Sequence, residues 1–195
     1  HLKFSPNTIG TQTGTSGLYR LTDKVEYVTF AGGPRVNSTY DSTKRMGTNL
    51  TINPDEGNTV EFWLKKESFG HSFKEVVLDV TTPSYASGSN SYGRFLIELT
   101  GSGGTGSPFV FSYVSASSGF VNQSIGSSIT SATVADNAWH HYALSIKNVD
   151  SKLRARLYVD GVLNHTITNN QTVSAVNSNT TGFIGALGVE NKSTG

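Results

Sequence analysis

Residues 153–159 alternate. Leu153, Ala155, Leu157 and Val159 point one way; Arg154, Arg156 and Tyr158 point the other. A period of two with one apolar face marks a half-buried β-strand. Asp160-Gly161 follows at once, a pair that favours the two-residue type I′ turn because that turn needs φ > 0 at both central positions. The stretch from Trp139 to Leu163 therefore predicts two strands around a short polar turn, then a tight hairpin. Beyond the hairpin the parity is mixed. Val162 belongs with the inward set, whereas Leu163 and Ile167 fall on the opposite face, which predicts a β-bulge or a strand buried on both sides.

The same pattern recurs upstream. Thr59–Lys65 puts Val60, Phe62 and Leu64 on one face and Glu61, Trp63 and Lys65 on the other. Further strands are predicted at Val25–Phe30, Leu50–Ile52, Glu75–Val80, Arg94–Thr100, Phe109–Val114, near Val121–Ile125 and at Gly182–Leu187. Turn clusters rich in Gly, Asn and Ser separate them. No window keeps the i, i+3, i+4, i+7 spacing of an amphipathic helix. About ten to twelve short strands with such turns predict an all-β fold, a two-sheet antiparallel sandwich. Residues 1–24, polar and turn-rich, read as an extended N-terminal segment or linker, and residues 25–195 as the sandwich.

Composition narrows the function. A chain of 195 residues is long enough for one domain with a real core. Charged residues make up 15% and the net charge is +1, too balanced for a nucleic-acid or anionic-membrane surface. The outward Arg154 and Arg156 read as a solvated sheet face. Cysteine is absent, which excludes disulfides, thiolate zinc sites and a cysteine nucleophile, and favours a bacterial or viral origin or a self-sufficient core. No apolar run approaches the roughly 18 residues of a membrane-spanning helix, so membrane insertion is not expected. The chain opens at His1 with no visible signal peptide, and is read as a processed product or a piece of something longer. N-x-[ST] occurs at Asn37, Asn49, Asn122, Asn164, Asn170, Asn179 and Asn191, mostly a by-product of a chain rich in Ser, Thr and Asn.

Five motifs carry a family likeness: Tyr27–Gly33 (YVTFAGG), Thr59–Lys65 (TVEFWLK), Trp139–Ser145 (WHHYALS), Leu157–Leu163 (LYVDGVL) and Gly182–Ala186 (GFIGA). In this order and spacing the chain resembles the laminin-G-like branch of the concanavalin A-like lectin/glucanase superfamily over most of residues 25–187. The resemblance implies a jelly-roll sandwich of two curved antiparallel sheets. It departs at Gly188–Gly195, where relatives continue into a closing strand. The resemblance therefore implies a closing strand from beyond this chain or from a neighbour, or else an open edge.

The superfamily includes glucanases, whose retaining members set two carboxylates about 5–5.5 Å apart, at E-x-D-x-x-E or E-x-D-x-E spacing on one strand. Neither spacing occurs here. Glu75 and Asp79 share a strand at i, i+4 but lie about 13 Å apart by strand rise, and Asp55-Glu56 sits in a turn cluster. The chain is therefore expected not to be an enzyme. His140 and His141, adjacent on a strand, point to opposite faces and cannot converge on one ion. With no Asp or Glu at i±2, their expected role is packing beside Trp139. Such domains often hold Ca²⁺ at a loop rim; Asp79, Asp136 and Asp150 each offer oxygens, but no D-x-[DN]-x-[DN]-G run exists. The expectation is no cofactor, with Ca²⁺ the one candidate.

Trp63 and Trp139 are the residue type that stacks on sugar rings, but they lie in the strand motifs and are expected to pack structurally. The ligand candidates are loop residues: Tyr85, Asn90 and Tyr92 in one loop, Phe120, Asn122 and Gln123 in another. The expected function is a non-catalytic recognition or adhesion module within an extracellular, cell-surface or virion assembly. Its partners would be glycans or a cell-surface receptor and other subunits, with no nucleic acid. The alternative is a structural virion component, such as a phage fibre, tail or capsid-decorating protein.

Overall fold

Alternation along the chain becomes two stacked antiparallel sheets. The computed structural model describes residues 19–20, 26–32, 50–69, 74–82, 91–101, 106–176, 178 and 180–187. Among these lie β1 (Tyr19–Arg20), β2 (Glu26–Gly32), β3 (Asn58–Lys65), β4 (Lys74–Thr81), β5 (Gly93–Thr100), β6 (Phe109–Ser115) and β7 (Ser118–Ser124). After one helical turn, α1 (Ser131–Val134), come β8 (Trp139–Val149), β9 (Lys152–Val159), β10 (Val162–Asn169) and β11 (Thr180–Ile184). One sheet runs β1-β2-β11-β4-β5-β6-β7 and the other β10-β9-β8-β3. The last strand lies inside the larger sheet, between β2 and β4; that sheet's edges are β1 and β7. No helix among the described residues is long and apolar enough to cross a membrane.

The core sits between the sheets. Phe95, Ile97, Leu99, Phe109, Phe111 and Tyr113 enter it from β5 and β6; Tyr142, Leu144, Ile146, Leu153, Ala155 and Leu157 enter from β8 and β9. Each set is every second residue of its strand, as the pleat requires. The Phe109 and Tyr142 rings meet across the gap at 4.7 Å between centroids. Tyr113 brings a hydroxyl into this apolar layer and donates it to Asn58 Oδ1 at 2.6 Å, the partner a buried phenol needs. Burial pushes the Tyr113 hydroxyl far above the usual phenol range.

The hairpins form as expected. Asp160 (φ 49°) and Gly161 (φ 81°) make the two-residue turn between β9 and β10, and Asp150 (φ 52°) with Ser151 (φ 60°) makes another between β8 and β9. The mixed parity after Val162 is a bulge, where the β9–β10 register slips between Leu163 and His165.

Three expectations change. Leu50–Ile52 is not a strand. Its backbone bonds go elsewhere: Leu50 O accepts from the Thr180 hydroxyl, Thr51 O from the Asn58 amide and Ile52 O from Val176 N. A single helical turn exists where none was expected, closed by a reciprocal Thr130–Thr133 capping box; four residues are too few to show a helical period. Finally, β4 carries a bulge between Val76 and Leu78. Glu75 then opposes the core residue Leu99, while Asp79 opposes Leu96 on the other face. The two carboxylates expected to share a face therefore do not.

Candidate functional site

The solvent face of the four-stranded sheet collects aromatic side chains. Trp63 opposes His141 in the β3–β8 ladder, and Lys65 opposes Trp139, so the two tryptophans are diagonal neighbours on one face. Trp63 is 60% exposed and Trp139 63%. The expectation that they pack structurally is thereby corrected. Strand parity is the reason: Val60, Phe62 and Leu64 take the inward positions of β3, which leaves Trp63 outside with Glu61 and Lys65. The Trp63 indole is braced by the His141 ring at 5.2 Å, and His141 Nε2 lies 3.6 Å from Glu61. The next rung carries Glu61, Ala143, Tyr158 and Leu163 across all four strands.

One end of this platform is fixed by a polar clamp. His140 Nδ1 meets Asp160 Oδ2 at 2.8 Å and its Nε2 meets Asp136 Oδ2 at 3.0 Å. Both ring nitrogens face carboxylate oxygens, which the imidazolium, with a proton on each, satisfies fully. The hydrogen bonds from Asp160 and then Asp136 raise the His140 pKa above its ordinary value, and His140 in turn lowers both carboxyls. Asp160 also accepts the His141 amide at 2.8 Å, and Asp136 accepts the Ala138 amide at 2.8 Å. The expectation of a simple packing role beside Trp139 is corrected. The acidic partners stand at i−4 and across a hairpin, where a search at i±2 does not look. The two imidazoles do point apart, His140 toward the clamp and His141 toward Trp63.

The larger sheet carries a second polar group, on the face turned away from the core. Asp79 accepts two bonds from Arg94, at 2.9 and 3.0 Å, and is fully buried. Burial disfavours the Arg94 charge, but the hydrogen bond and charge of Asp79 outweigh it and the Arg94 pKa rises. Glu98, 4% exposed, accepts from Lys74 at 3.0 Å. Asp79 opposes Leu96, two residues from Glu98, a diagonal that sets the backbones about 7–8 Å apart. Sequence reasoning missed Glu98, Lys74 and Arg94 as companions of Asp79, because the β4 bulge decides which residues share that face. Glu75 instead pairs with Lys66 at 2.6 Å.

The loop candidates do not gather. Tyr85 and Asn90 lie outside the described residues. Tyr92 is half-buried and its carbonyl accepts from Ala116 N. Phe120 is a correction: it is 5% exposed, with its ring 5.2 Å from Phe111 in the core, because it opposes the inward Tyr113 in the β6–β7 ladder. Asn122 (φ 46°) binds Ser112 through its amide and Lys74 through its side chain. Gln123 is exposed. Tyr92 reaches β6 beside Ala116 and Asn122 beside Ser112, about 13 Å apart by strand rise. The calcium candidates are equally scattered. Asp79 holds Arg94, Asp136 holds His140, and Asp150 lies 3.5 Å from Arg154. Among the described residues no group of three or more His, Asp or Glu is placed to hold a metal ion.

Comparison with known proteins places the fold. Solved structures similar to this chain include a Bacillus licheniformis β-glucanase, at 15% identity and TM-score 0.40, covering 88% of this chain and 71% of that one. Another is an endo-β-1,4-glucuronan lyase from Trichoderma reesei, at 12% identity and TM-score 0.46, covering 89% and 65%. A third is a 1,3-α-1,4-β-D-galactose-4-sulfate-3,6-anhydro-D-galactose 4 galactohydrolase, at 16% identity and TM-score 0.38, covering 70% and 52%. The expectation that this chain is not an enzyme is corrected by these findings, since the structures resembling it are carbohydrate-active enzymes. The two-sheet sandwich rests on this chain's own strand order, and the named activities are those of the three proteins. No curated protein matches the sequence. The Laminin_G_3 family model, described as concanavalin A-like lectin/glucanases superfamily, matches residues 37–194, and the chain belongs to that family.

Proposed function

We propose that this domain recognises carbohydrate on the solvent face of its four-stranded sheet, with Trp63 and Trp139 as the stacking platform. One observation carries the reading: two tryptophans, 60% and 63% exposed, occupy one face of adjacent strands. Burying a large apolar side chain is worth roughly 1.5–3 kcal/mol, so a pair left in water is informative where a single exposed leucine is not. A sugar ring offers an apolar C–H face to an indole and a rim of hydroxyls to polar neighbours. Glu61, Lys65, Ser145 and Tyr158 lie on the same sheet face and supply that rim. The His141 ring braces Trp63, so less side-chain freedom is lost on binding.

A glycan array followed by calorimetry tests the reading. Trp63→Ala and Trp139→Ala should each weaken binding by about tenfold or more, while the melting temperature stays close to that of the parent. A reducing-end assay on the bound glycan reports whether turnover accompanies binding. An array with no tryptophan-dependent ligand rejects the proposal.

A further inference from the structure

The same sheet face changes character along its strands. Below the aromatic rungs come Thr59, Ser145, Arg156 and Thr166, then Lys147, Arg154 and Thr168. Lys147 and Arg154 stand directly opposite each other in the β8–β9 ladder, and Arg156 is two residues along β9 from Arg154. Like charges directly opposite are destabilising in a sheet. Little relieves them: Arg154 has Asp150 at 3.5 Å, and that carboxylate is 83% exposed. Among the described residues no carboxylate ion-pairs with Lys147 or Arg156. General basicity does not account for the cluster, because the whole chain carries a net charge of only +1.

We infer that the glycan bound here is anionic, a polysaccharide bearing carboxylate or sulfate groups, and that Lys147, Arg154 and Arg156 select it. The inference rests on the platform reading above and names the ligand class of that site. The geometry suits a linear polymer. From Trp139 to Lys147 the strand runs eight residues, about 27 Å by strand rise, so one chain can stack at the tryptophan end and present acid groups at the basic end. The row between carries hydroxyls, Thr59 Oγ1 donating to Ser145 Oγ at 3.1 Å, where neutral sugar hydroxyls find partners. Guanidinium forks match the two oxygens of a carboxylate or sulfate. A weakly relieved cationic pair on the same sheet face as two exposed indoles joins charge complementarity with ring stacking, and a polymer of acidic sugars supplies both. An acidic protein surface, a nucleic acid or an anionic membrane is a different occupant, which the experiment separates.

The test compares polymers that differ in charge: polygalacturonate with its methyl ester, and dextran sulfate with dextran. Calorimetry on the intact chain should show at least one charged form binding about tenfold tighter than its neutral counterpart, with affinity falling as salt rises. The double variant Lys147→Gln/Arg156→Gln should erase that preference and keep the weaker neutral binding. Trp63→Ala should weaken both forms. The double variant should fold at least as well as the parent, since it removes cationic crowding, and its melting temperature verifies this. Equal binding of charged and neutral polymers, lost in Trp63→Ala and unchanged in the double variant, overturns the anionic inference and leaves the platform standing. No tryptophan-dependent binding to any polymer overturns both. Binding that depends on Lys147 and Arg156 for single-stranded DNA or phosphatidylserine vesicles, but for no polysaccharide, also overturns the inference.

Discussion

Asp160 grips two consecutive histidines in different ways: Oδ2 meets the His140 ring at 2.8 Å and Oδ1 accepts the His141 amide at 2.8 Å. One carboxylate thus ties the β9–β10 turn to the start of β8, next to Trp139. The pKa directions fix the sign of the pH dependence. His140 is raised from 6.5, so its contribution is complete below pH 6.5 and fades as pH rises through the raised value. Asp136 and Asp160 are lowered from 3.8, so theirs is present above pH 3.8 and fades as pH falls through the lowered values. His140→Gln should therefore reduce the melting temperature most between about pH 4 and 6.5. The gap from the parent should narrow in mildly alkaline buffer. A gap that is flat with pH would contradict a charged clamp.

Phe111 and Trp63 should behave as opposites. Phe111 is fully buried, and Phe111→Ala should cost about 3–5 kcal/mol in urea unfolding. Trp63→Ala, on the solvent face, should stay within about 0.5 kcal/mol. A large loss at Trp63 would mean that the indole is structural after all.

Removing the Asp79 charge strands Arg94. Its side chain is 15% exposed, so Asp79→Asn should cost about 3–5 kcal/mol, as breaking a buried ion pair does. Replacing both partners, Asp79→Leu with Arg94→Met, should recover much of that. Chemical denaturation of the two variants makes the comparison.

Gly161 and Gly119 separate conformation from space. Both have positive φ, at +81° and +132°. A Cβ at Gly161 meets nothing within 4 Å, so Gly161→Ala should cost only the left-handed penalty of about 1–2 kcal/mol. A Cβ at Gly119 would run into the Tyr113 carbonyl, so Gly119→Ala should be distinctly worse. Equal midpoints for the two would contradict the account.

Much of this architecture is legible in the residue pattern. The alternation in Thr59–Lys65 and Leu153–Val159 reads directly as faces, and Asp160-Gly161 as a turn, because both are local signals. The same parity already placed Trp63 with Glu61 and Lys65, outward. The error lay in letting its place in a strand motif override its place in the pleat. What resisted reading is non-local. A one-residue bulge at Val76/Leu78 reverses the faces of Glu75 and Asp79, and nothing in VVLDV announces it. The His140 clamp joins positions 136, 140 and 160, which meet only once β8 and β9 pair. The crowding of Lys147 against Arg154 likewise depends on register.

The place of β11 governs the order of assembly. Strands β4 to β7 pair with sequence neighbours and form a meander that can zip as the chain emerges. The β1–β2 hairpin has no such option. Among the described residues its one link to the rest of the sheet is β11, with Thr180–Ile184 pairing Gly32–Val28 on one side and Thr181–Ile184 pairing Thr81–Leu78 on the other. Strands β1 and β2, made before β4 to β7, therefore join the sheet after them. They wait, unpaired on one edge, through about 150 residues of synthesis, a delay of roughly 7–30 seconds at ordinary elongation rates. Strand β11 acts as a bolt between β2 and β4, and its sequence separation from β2 makes its docking, rather than the completion of any hairpin, the step expected to be slowest in building the larger sheet.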